Sequence, residues 1–161
     1  MNWKTLVQDV FYTDNVFDKD KLAQNWYDIF HGKWEYKNMS GNAGDFNRFW
    51  LQELSEKHKD FFKVVTDNTI IRSYANGQTL TQYSSFHADD GDWTYLIYCD
   101  PHWTQEDGGG TEFKIDDNNT VVIYPIYNRV VKFRAGISHR ALPNIKQGSF
   151  RVTVALKTNE S

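Results

Sequence analysis

A histidine and an aspartate lie two positions apart in the segment 86–89, Phe-His-Ala-Asp, just before an apolar and aromatic segment at 93–99. Alternating residues of a strand share one face, so His87 and Asp89 are predicted to project together if the strand extends that far. An imidazole and a carboxylate side by side are candidate metal ligands. Most His-x-Asp triplets bind nothing, however, and the pair needs a third ligand before it indicates a site.

The third ligand must come from the other histidines of the chain, which has five in total. His31 and His58 lie near the ends of predicted helices and are interpreted as surface residues. His102, in the turn sequence Asp-Pro-His-Trp, is a weaker candidate. His139 follows a strand and a Gly-containing turn, and several strands fit between it and Asp89. Two histidines and one carboxylate form the facial triad of non-haem Fe(II), which leaves coordination positions open for other ligands.

A metal used in this way needs a co-ligand, and the segment 151–157 offers an anion site. Val152, Val154 and Leu156 share one face of the predicted strand, which is therefore the core face. Arg151 and Thr153 share the other face, which is either solvent or the interior of a barrel-like fold. In the interior, Arg151 is a buried cation that a dicarboxylate could pair, with the Thr153 hydroxyl adding a hydrogen bond. In solvent, both are ordinary residues of an edge strand.

The elements that must position these residues change type along the chain. Apolar residues at helical spacing predict helices over 19–31 (Leu22, Trp26, Ile29, Phe30) and over 43–58 (Phe46, Phe49, Trp50, Leu54), the second capped by Asp45. A period of two then predicts strands at 69–75, 80–87, 93–99, 111–115, 120–124, 129–134 and 150–157. Residues 116–119 are predicted to be a hairpin tip, and the glycines of 107–110 an architectural loop that enters a strand.

This order predicts a single α+β domain that is mainly β, with helical support in 1–65 and a jelly-roll core in 66–161 that carries the metal site. The chain has 161 residues, 40% of them hydrophobic and 24% charged, which is typical of a globular protein. A net charge of -3 argues against a general nucleic-acid binder. The sequence contains no apolar run long enough for a membrane span, and no signal peptide is visible. The single cysteine, Cys99, cannot form an intrachain disulfide, and we expect a buried thiol and a cytoplasmic location.

Six segments, taken together and in this order, resemble the 2-oxoglutarate- and Fe(II)-dependent dioxygenase superfamily, in its prolyl 4-hydroxylase-like branch. They are RSYANGQTLTQYSSFHAD, YLIYCDPHW, EDGGGTEF, VVIYPIYNRVVKF, ISHRALPN and RVTVALK, within residues 69–157. The resemblance implies a double-stranded β-helix with Fe(II) near one mouth. It also implies 2-oxoglutarate as cosubstrate, O2 as oxidant and ascorbate as an accompanying reductant.

The resemblance assigns roles to individual residues. It makes His87, Asp89 and His139 the iron ligands and Arg151 the partner of the 5-carboxylate of 2-oxoglutarate. Tyr98 matches a tyrosine whose hydroxyl shares that carboxylate, and Tyr74 matches one that reaches toward the iron and the cosubstrate. Thr111 and Thr153 are further candidates beside the cosubstrate. Packed strand tyrosines are the alternative reading of Tyr74 and Tyr98.

The substrate is less well defined than the reaction. Hydroxylation of a peptidyl proline is the leading hypothesis. Lys157, however, stands where prolyl-hydroxylase relatives usually carry a tryptophan, and it shares the face of Arg151. The alternatives are an oxygenase for a free amino acid, a small metabolite or a nucleic acid, and a jelly-roll binding protein without catalytic activity. The expected partner is therefore a protein or peptide, with a small molecule as the alternative, and the oligomeric state is open.

Overall fold

The computed structural model describes residues 1–38 and 48–161. Its two helices are α1 (Lys19–Phe30) and α2 (Glu56–Phe62), with short 3-10 helices at Lys63–Val65 and Gln105–Asp107. The strands are β1 (Lys4–Val7), β2 (Val10–Asp14), β3 (Glu35–Asn38), β4 (Arg48–Glu53), β5 (Thr69–Thr79), β6 (Trp93–Tyr98), β7 (Thr111–Lys114), β8 (Thr120–Ile123), β9 (Arg129–Arg134), β10 (His139–Ala141) and β11 (Phe150–Asn159). No helix in the described ranges is both long and apolar enough to cross a membrane.

In the described part of the chain the strands form two antiparallel sheets. The large sheet has eight strands in the order β1-β2-β9-β6-β11-β5-β4-β3, and the small sheet has three in the order β10-β7-β8. One apolar cluster joins Phe113 and Ile123 of the small sheet to Tyr98 and Phe133 of the large sheet. The two sheets therefore pack face to face, and the predicted jelly-roll core is confirmed.

The other face of the large sheet carries the helices. Leu22 and Ile29 of α1 and Phe62 of α2 share a cluster with Val152 and Val154 of β11. The helix predicted at 19–31 is confirmed as α1, which begins where the Asp18 side chain accepts a 3.0 Å hydrogen bond from the Lys21 backbone N–H. The three layers are thus helices, the large sheet and the small sheet.

The helix predicted at 43–58 is wrong over residues 48–55, and only 56–58 are helical, as the start of α2. Residues 48–53 form strand β4, which pairs with β3 and β5, and a helix begins only after the Ser55 cap. Phe49 and Leu51 are buried, so the segment satisfies a period of two as well as the helical one, and strand pairing decides between them. Asp45 and Phe46 lie outside the described residues. His58, predicted to be a surface residue, is buried with 9% of its area exposed.

The first 65 residues contribute strands as well as helices, because β1 to β4 all join the large sheet. The division at residue 65 stays a prediction. The strand predicted at 80–87 is wrong: beyond Thr79 the chain is irregular, with Thr81 in the left-handed region at a φ of 60° and an isolated bridge at His87. The other predicted strands are confirmed, as is the hairpin tip between β7 and β8.

Candidate active site

The two sheets bring the three predicted ligands together. His87 and His139 form an isolated antiparallel bridge, with backbone hydrogen bonds of 3.0 Å and 2.9 Å that set their rings side by side. The backbone N–H of Asp89 donates to Ala135 at 2.8 Å and turns its carboxylate toward the histidines. One ligand atom from each of the three residues lies within 4.8 Å of the others. A backbone bridge, rather than the expected strand, therefore positions the group.

Both histidines present the same ring nitrogen to the site. Nδ1 of His87 lies 2.9 Å from the Ser85 carbonyl oxygen, and Nδ1 of His139 lies 2.8 Å from the Ile137 carbonyl oxygen. A carbonyl only accepts, so each Nδ1 carries the proton and each Nε2 is left to face Asp89 with its lone pair. Burial lowers the pKa of His87 and favours its neutral ring. A neutral imidazole whose Nε2 faces the site is suited to hold a metal.

The Asp89 side chain is buried, with 6% of its area exposed. Its Oδ2 atom accepts a 2.7 Å hydrogen bond from the Thr94 hydroxyl and forms an ion pair with the Lys157 ammonium group. The His139 Nε2 atom lies 3.3 Å from the same oxygen. Burial alone would raise the pKa of Asp89, but the charge of the adjacent Lys157 ammonium group lowers it well below its usual range. The carboxylate is therefore ionised and held in place.

These residues lie at one end of a cavity of about 450 Å³ between the two sheets. We call the end that holds His87, Asp89 and His139 the metal end. Arg151 lies at the other end, buried with 6% of its area exposed. Its guanidinium group donates to the Gly109 carbonyl and to Oε1 of Gln78. The alternating faces predicted for β11 are confirmed, since Arg151 and Thr153 line the cavity while Val152 and Val154 belong to the core.

The Arg151 end of the cavity has polar atoms without partners. Among the described residues, no carboxylate forms an ion pair with Arg151, and its Nε atom has no hydrogen-bond acceptor. The buried Thr153 hydroxyl and the Asn76 side-chain oxygen likewise lack partners in the described ranges. A buried cation without a counter-charge is costly, and a bound anion would remove that cost. The residues at this end therefore fit a carboxylate ligand.

The remaining predicted residues also line this cavity. The Tyr98 hydroxyl lies 2.8 Å from the Thr111 hydroxyl, and both side chains are buried. Burial raises the pKa of Tyr98, so the phenol keeps its proton and can donate. Tyr74 is buried between two cations, with its ring centroid 5.1 Å from the Arg72 guanidinium and 5.9 Å from the Lys157 ammonium. His102, the weaker candidate, is exposed beside Trp26 and lies apart from the cavity.

The glycine loop before β7 has a more specific role than the architectural one predicted. Gly109 has a φ of 72°, and a Cβ atom built there would lie 2.7 Å from an Arg151 guanidinium nitrogen. Its carbonyl is also one of the acceptors of Arg151. Glycine therefore allows the loop to pass directly against the buried guanidinium group.

The cavity opens at a mouth that Arg72 and Asp90 border, joined by a 2.8 Å salt bridge. Arg72 and Tyr74 also line a second, more polar groove of about 1020 Å³ that runs between α2 and strands β3 and β4. The two spaces are therefore neighbours that share residues.

Sequence reasoning missed Asn76, Gln78 and Thr94. For Asn76 and Gln78 the signal was available in β5, where Tyr74, Asn76 and Gln78 alternate with buried residues. In the β5–β11 pair, Gln78 lies opposite Arg151 and Asn76 lies opposite Thr153, so the same face of both strands is polar. Polar residues facing one another across two buried strands indicate an internal site. Thr94 gives no such signal, because it lies among apolar strand residues and its partner Asp89 follows an irregular segment.

The comparisons with known proteins agree with this geometry. The family model of the 2OG-Fe(II) oxygenase superfamily matches residues 45–156. No curated protein matches the sequence. A Pseudomonas putida prolyl-4-hydroxylase structure is similar over 95% of this chain and 94% of its own, with a TM-score of 0.74 and 11% identity.

Two further solved structures share the fold. One is a Trichoplax adhaerens prolyl hydroxylase in complex with a hypoxia inducible factor peptide fragment, covering 92% of this chain and 82% of its own, with a TM-score of 0.69 and 16% identity. The other is HygX from Streptomyces hygroscopicus with nickel and 2-oxoglutarate bound, covering 92% and 81%, with a TM-score of 0.67 and 9% identity. The family match decides the classification: the chain belongs to the 2OG-Fe(II) oxygenase superfamily, enzymes that use Fe(II), 2-oxoglutarate and O2.

Proposed function

We propose that this oxygenase hydroxylates an unactivated C–H bond of a peptidyl proline, with its metal at His87, Asp89 and His139. The observation that carries the proposal is the clustering of these three ligand groups within 4.8 Å at one end of a cavity. Arg151, at the other end, has no carboxylate partner among the described residues. Fe(II) bound there supplies the oxidative decarboxylation of 2-oxoglutarate that is coupled to substrate hydroxylation. The chain's own residues bind, orient and shield the reactants.

Arg151 is the proposed partner of the far carboxylate of 2-oxoglutarate. Its guanidinium group is held by Gly109 and Gln78, so it is already oriented when the anion arrives. The Thr153 hydroxyl and Tyr98 phenol are the proposed further donors, and Thr111 fixes the phenol by its 2.8 Å contact. Tyr74, packed against two cations, shields the metal end of the cavity from water.

The groove beside the mouth favours a chain-like substrate over a small one. It shares Arg72 and Tyr74 with the cavity, and it is larger and more polar than the cavity itself. A peptide could place one side chain at the metal end while its neighbours lie along the groove. The similarity of fold to two prolyl hydroxylases supports the same substrate class.

A free amino acid or small metabolite is the second candidate, and Lys157 is the observation that favours it. The resemblance to prolyl hydroxylases predicts an aromatic residue there, whereas the chain has a buried lysine beside Asp89. The lysine gives this part of the cavity a positive charge that an aromatic ring would not supply, so its chemistry differs from that expected for a proline substrate. The same assay therefore tests both substrate classes.

The first experiment is an anaerobic titration with Fe(II) and 2-oxoglutarate that follows visible absorbance. We expect a charge-transfer band that His87→Ala abolishes and Arg151→Met weakens. Succinate formation in air is then measured with proline-containing peptides and with free amino acids. Turnover stimulated only by peptides supports the prolyl assignment, stimulation only by small molecules supports the second candidate, and no band with folded protein contradicts the metal site.

A further inference from the structure

The ion pair between Lys157 and Asp89 is buried on both sides. The lysine side chain is 2% exposed and the aspartate side chain is 6% exposed. The ammonium group also lies 3.2 Å from the Thr94 hydroxyl, which itself donates to Asp89 at 2.7 Å. A long cationic side chain is rarely buried so completely unless a charge partner holds it. The lysine is therefore part of the environment of the metal end.

The position of Lys157 follows from the register of β11. Lys157 pairs with Arg72 of β5 and with Thr94 of β6, and its side chain lies on the cavity face that Arg151 and Thr153 also share. The ammonium group meets Oδ2 of Asp89. Among the described residues, no hydrogen bond or ion pair joins it to His87 or His139.

The charges at the metal end then cancel before any metal binds. Asp89 is the single carboxylate among the three ligand residues, and Lys157 places an equal positive charge next to it. A divalent cation added there finds no net negative charge, and Arg151 adds a further positive charge at the far end of the same cavity. Charges that share one buried cavity interact more strongly than charges in water, because the surrounding protein screens them less. An anion is needed to balance them.

We propose that Lys157 is a built-in counter-cation that makes metal binding depend on the dianionic cosubstrate. It keeps Asp89 paired and ordered in the metal-free protein, and it weakens the hold of the site on a metal ion alone. A dianion that spans the cavity from the metal to Arg151 restores the balance, so each ligand strengthens the binding of the other. This inference rests on the proposed function and extends it to the coupling between metal and cosubstrate.

A purely positional role for Lys157 predicts the opposite result. If the lysine served only to orient Asp89, its loss would disorder a ligand and weaken metal binding. If its charge opposes the metal, its loss strengthens metal binding. Thr94 separates the two roles, because it makes a hydrogen bond to the same carboxylate oxygen without carrying a charge.

The test is calorimetric titration of the full chain with Mn(II), which is redox-inert, with and without saturating 2-oxoglutarate under anaerobic conditions. We expect Lys157→Met to bind Mn(II) alone about tenfold or more tightly than the wild type. We also expect the factor by which 2-oxoglutarate tightens Mn(II) binding to fall in the same variant. Thermal unfolding of the metal-free proteins gives an independent reading: Lys157→Met melts lower because Asp89 is left unpaired, and Mn(II) recovers most of the difference.

One control variant keeps the positive charge at position 157, and another removes a hydrogen-bond donor to Asp89 without changing any charge. Lys157→Arg retains the charge and should behave as the wild type does, whereas Thr94→Val removes a donor without changing charge and should not tighten Mn(II) binding. Lys157→Gln is the second neutral variant if Lys157→Met does not fold. Equal or weaker Mn(II) binding by the neutral variants overturns the counter-cation role. A wild type that binds no Mn(II) under either condition instead overturns the proposed metal site.

Discussion

The two ends of the cavity are built on different principles. At the metal end, both histidines are fixed through Nδ1 and Asp89 is paired with Lys157 and Thr94. At the far end, Arg151 is buried without a carboxylate, and the Thr153 hydroxyl lacks a partner within the described ranges. One end is satisfied by the protein itself, and the other is complete only when an anion binds.

This difference indicates which groups of the free protein contribute most to the free energy of ligand binding. Groups that are already satisfied gain little from a ligand beyond its own bonds, but they are held ready in the correct orientation. Groups that are buried and unpaired lower the stability of the free protein and return that free energy when a partner arrives. We expect the metal end to give selectivity for the metal, and the Arg151 end to contribute most of the affinity for the cosubstrate.

The largest effect is expected from removing a ligand at the metal end. His139→Ala should lower 2-oxoglutarate turnover on the order of a thousandfold or more, because the cluster then offers only two ligands. Succinate formation measures the loss, and Mn(II) titration shows whether metal binding is lost with it. His31→Ala is the matched control, since His31 is exposed and lies outside the cavity. Wild-type turnover by His139→Ala would contradict the ligand assignment.

Replacing the unpaired arginine should change affinity and stability in opposite directions. Arg151→Met removes the charged donor for the cosubstrate, so the KM for 2-oxoglutarate should rise by about 10- to 100-fold. The free protein should become more stable, because a buried cation without a counter-charge is gone. Steady-state kinetics and thermal unfolding measure the two effects. A less stable variant would show that Arg151 is fully satisfied without an anion.

A substitution in the glycine loop should disturb the Arg151 end alone. Gly109→Ala forces a side chain into a left-handed backbone and against the guanidinium group, where the new Cβ would lie 2.7 Å from a nitrogen. We expect a loss of about 1 to 2 kcal/mol in stability and a several-fold higher KM for 2-oxoglutarate. Gly136→Ala is the control, since nothing lies within 4 Å of its Cβ position. Equal effects in both variants would argue against a specific contact.

The smallest effect concerns Asp100, a buried acid whose charge acts on Arg151. Burial raises the pKa of Asp100, so the folded protein binds its proton more tightly than the unfolded chain does. Stability is therefore lost as the pH rises from the unfolded value through the folded one. Asp100→Asn removes this titration, so its stability relative to that of the wild type should be greater at pH 7 than near pH 3. Denaturant unfolding at both pH values tests this, and the KM for 2-oxoglutarate should change by less than about threefold.

The sequence was sufficient to select the three candidate metal ligands, because this choice depends on a few residue types and their spacing in the chain. His87, Asp89 and His139 were recognisable without knowing what holds them. The backbone bridge that aligns the two histidines was not predictable, since it joins an irregular segment to the three-residue strand β10. Long-range pairing of this kind leaves little periodic signal in either segment.

The strand β4 shows why local periodicity failed elsewhere. Phe49, Trp50 and Leu54 fit a helical stripe, yet 48–53 completes the large sheet between β3 and β5. Whether this segment forms a helix or a strand depends on the strands available to pair with it elsewhere in the chain, and a short stretch of sequence does not contain that information. Lys157 is a similar case. The alternation of strand residues predicted that it shares a face with Arg151, but its burial against Asp89 depends on β6 lying beside β11.

The central position of β11 has a consequence for how the protein forms during synthesis. β11 lies between β5 and β6 in the large sheet, although every other strand precedes it in the chain. Until it emerges from the ribosome, the groups β1-β2-β9-β6 and β5-β4-β3 each expose an unpaired edge. Such edges invite pairing with other chains, and closure over long sequence separations is slow. Nascent chains that stop before residue 150 should therefore be held by chaperones or aggregate, because the site is complete only after β11 has paired.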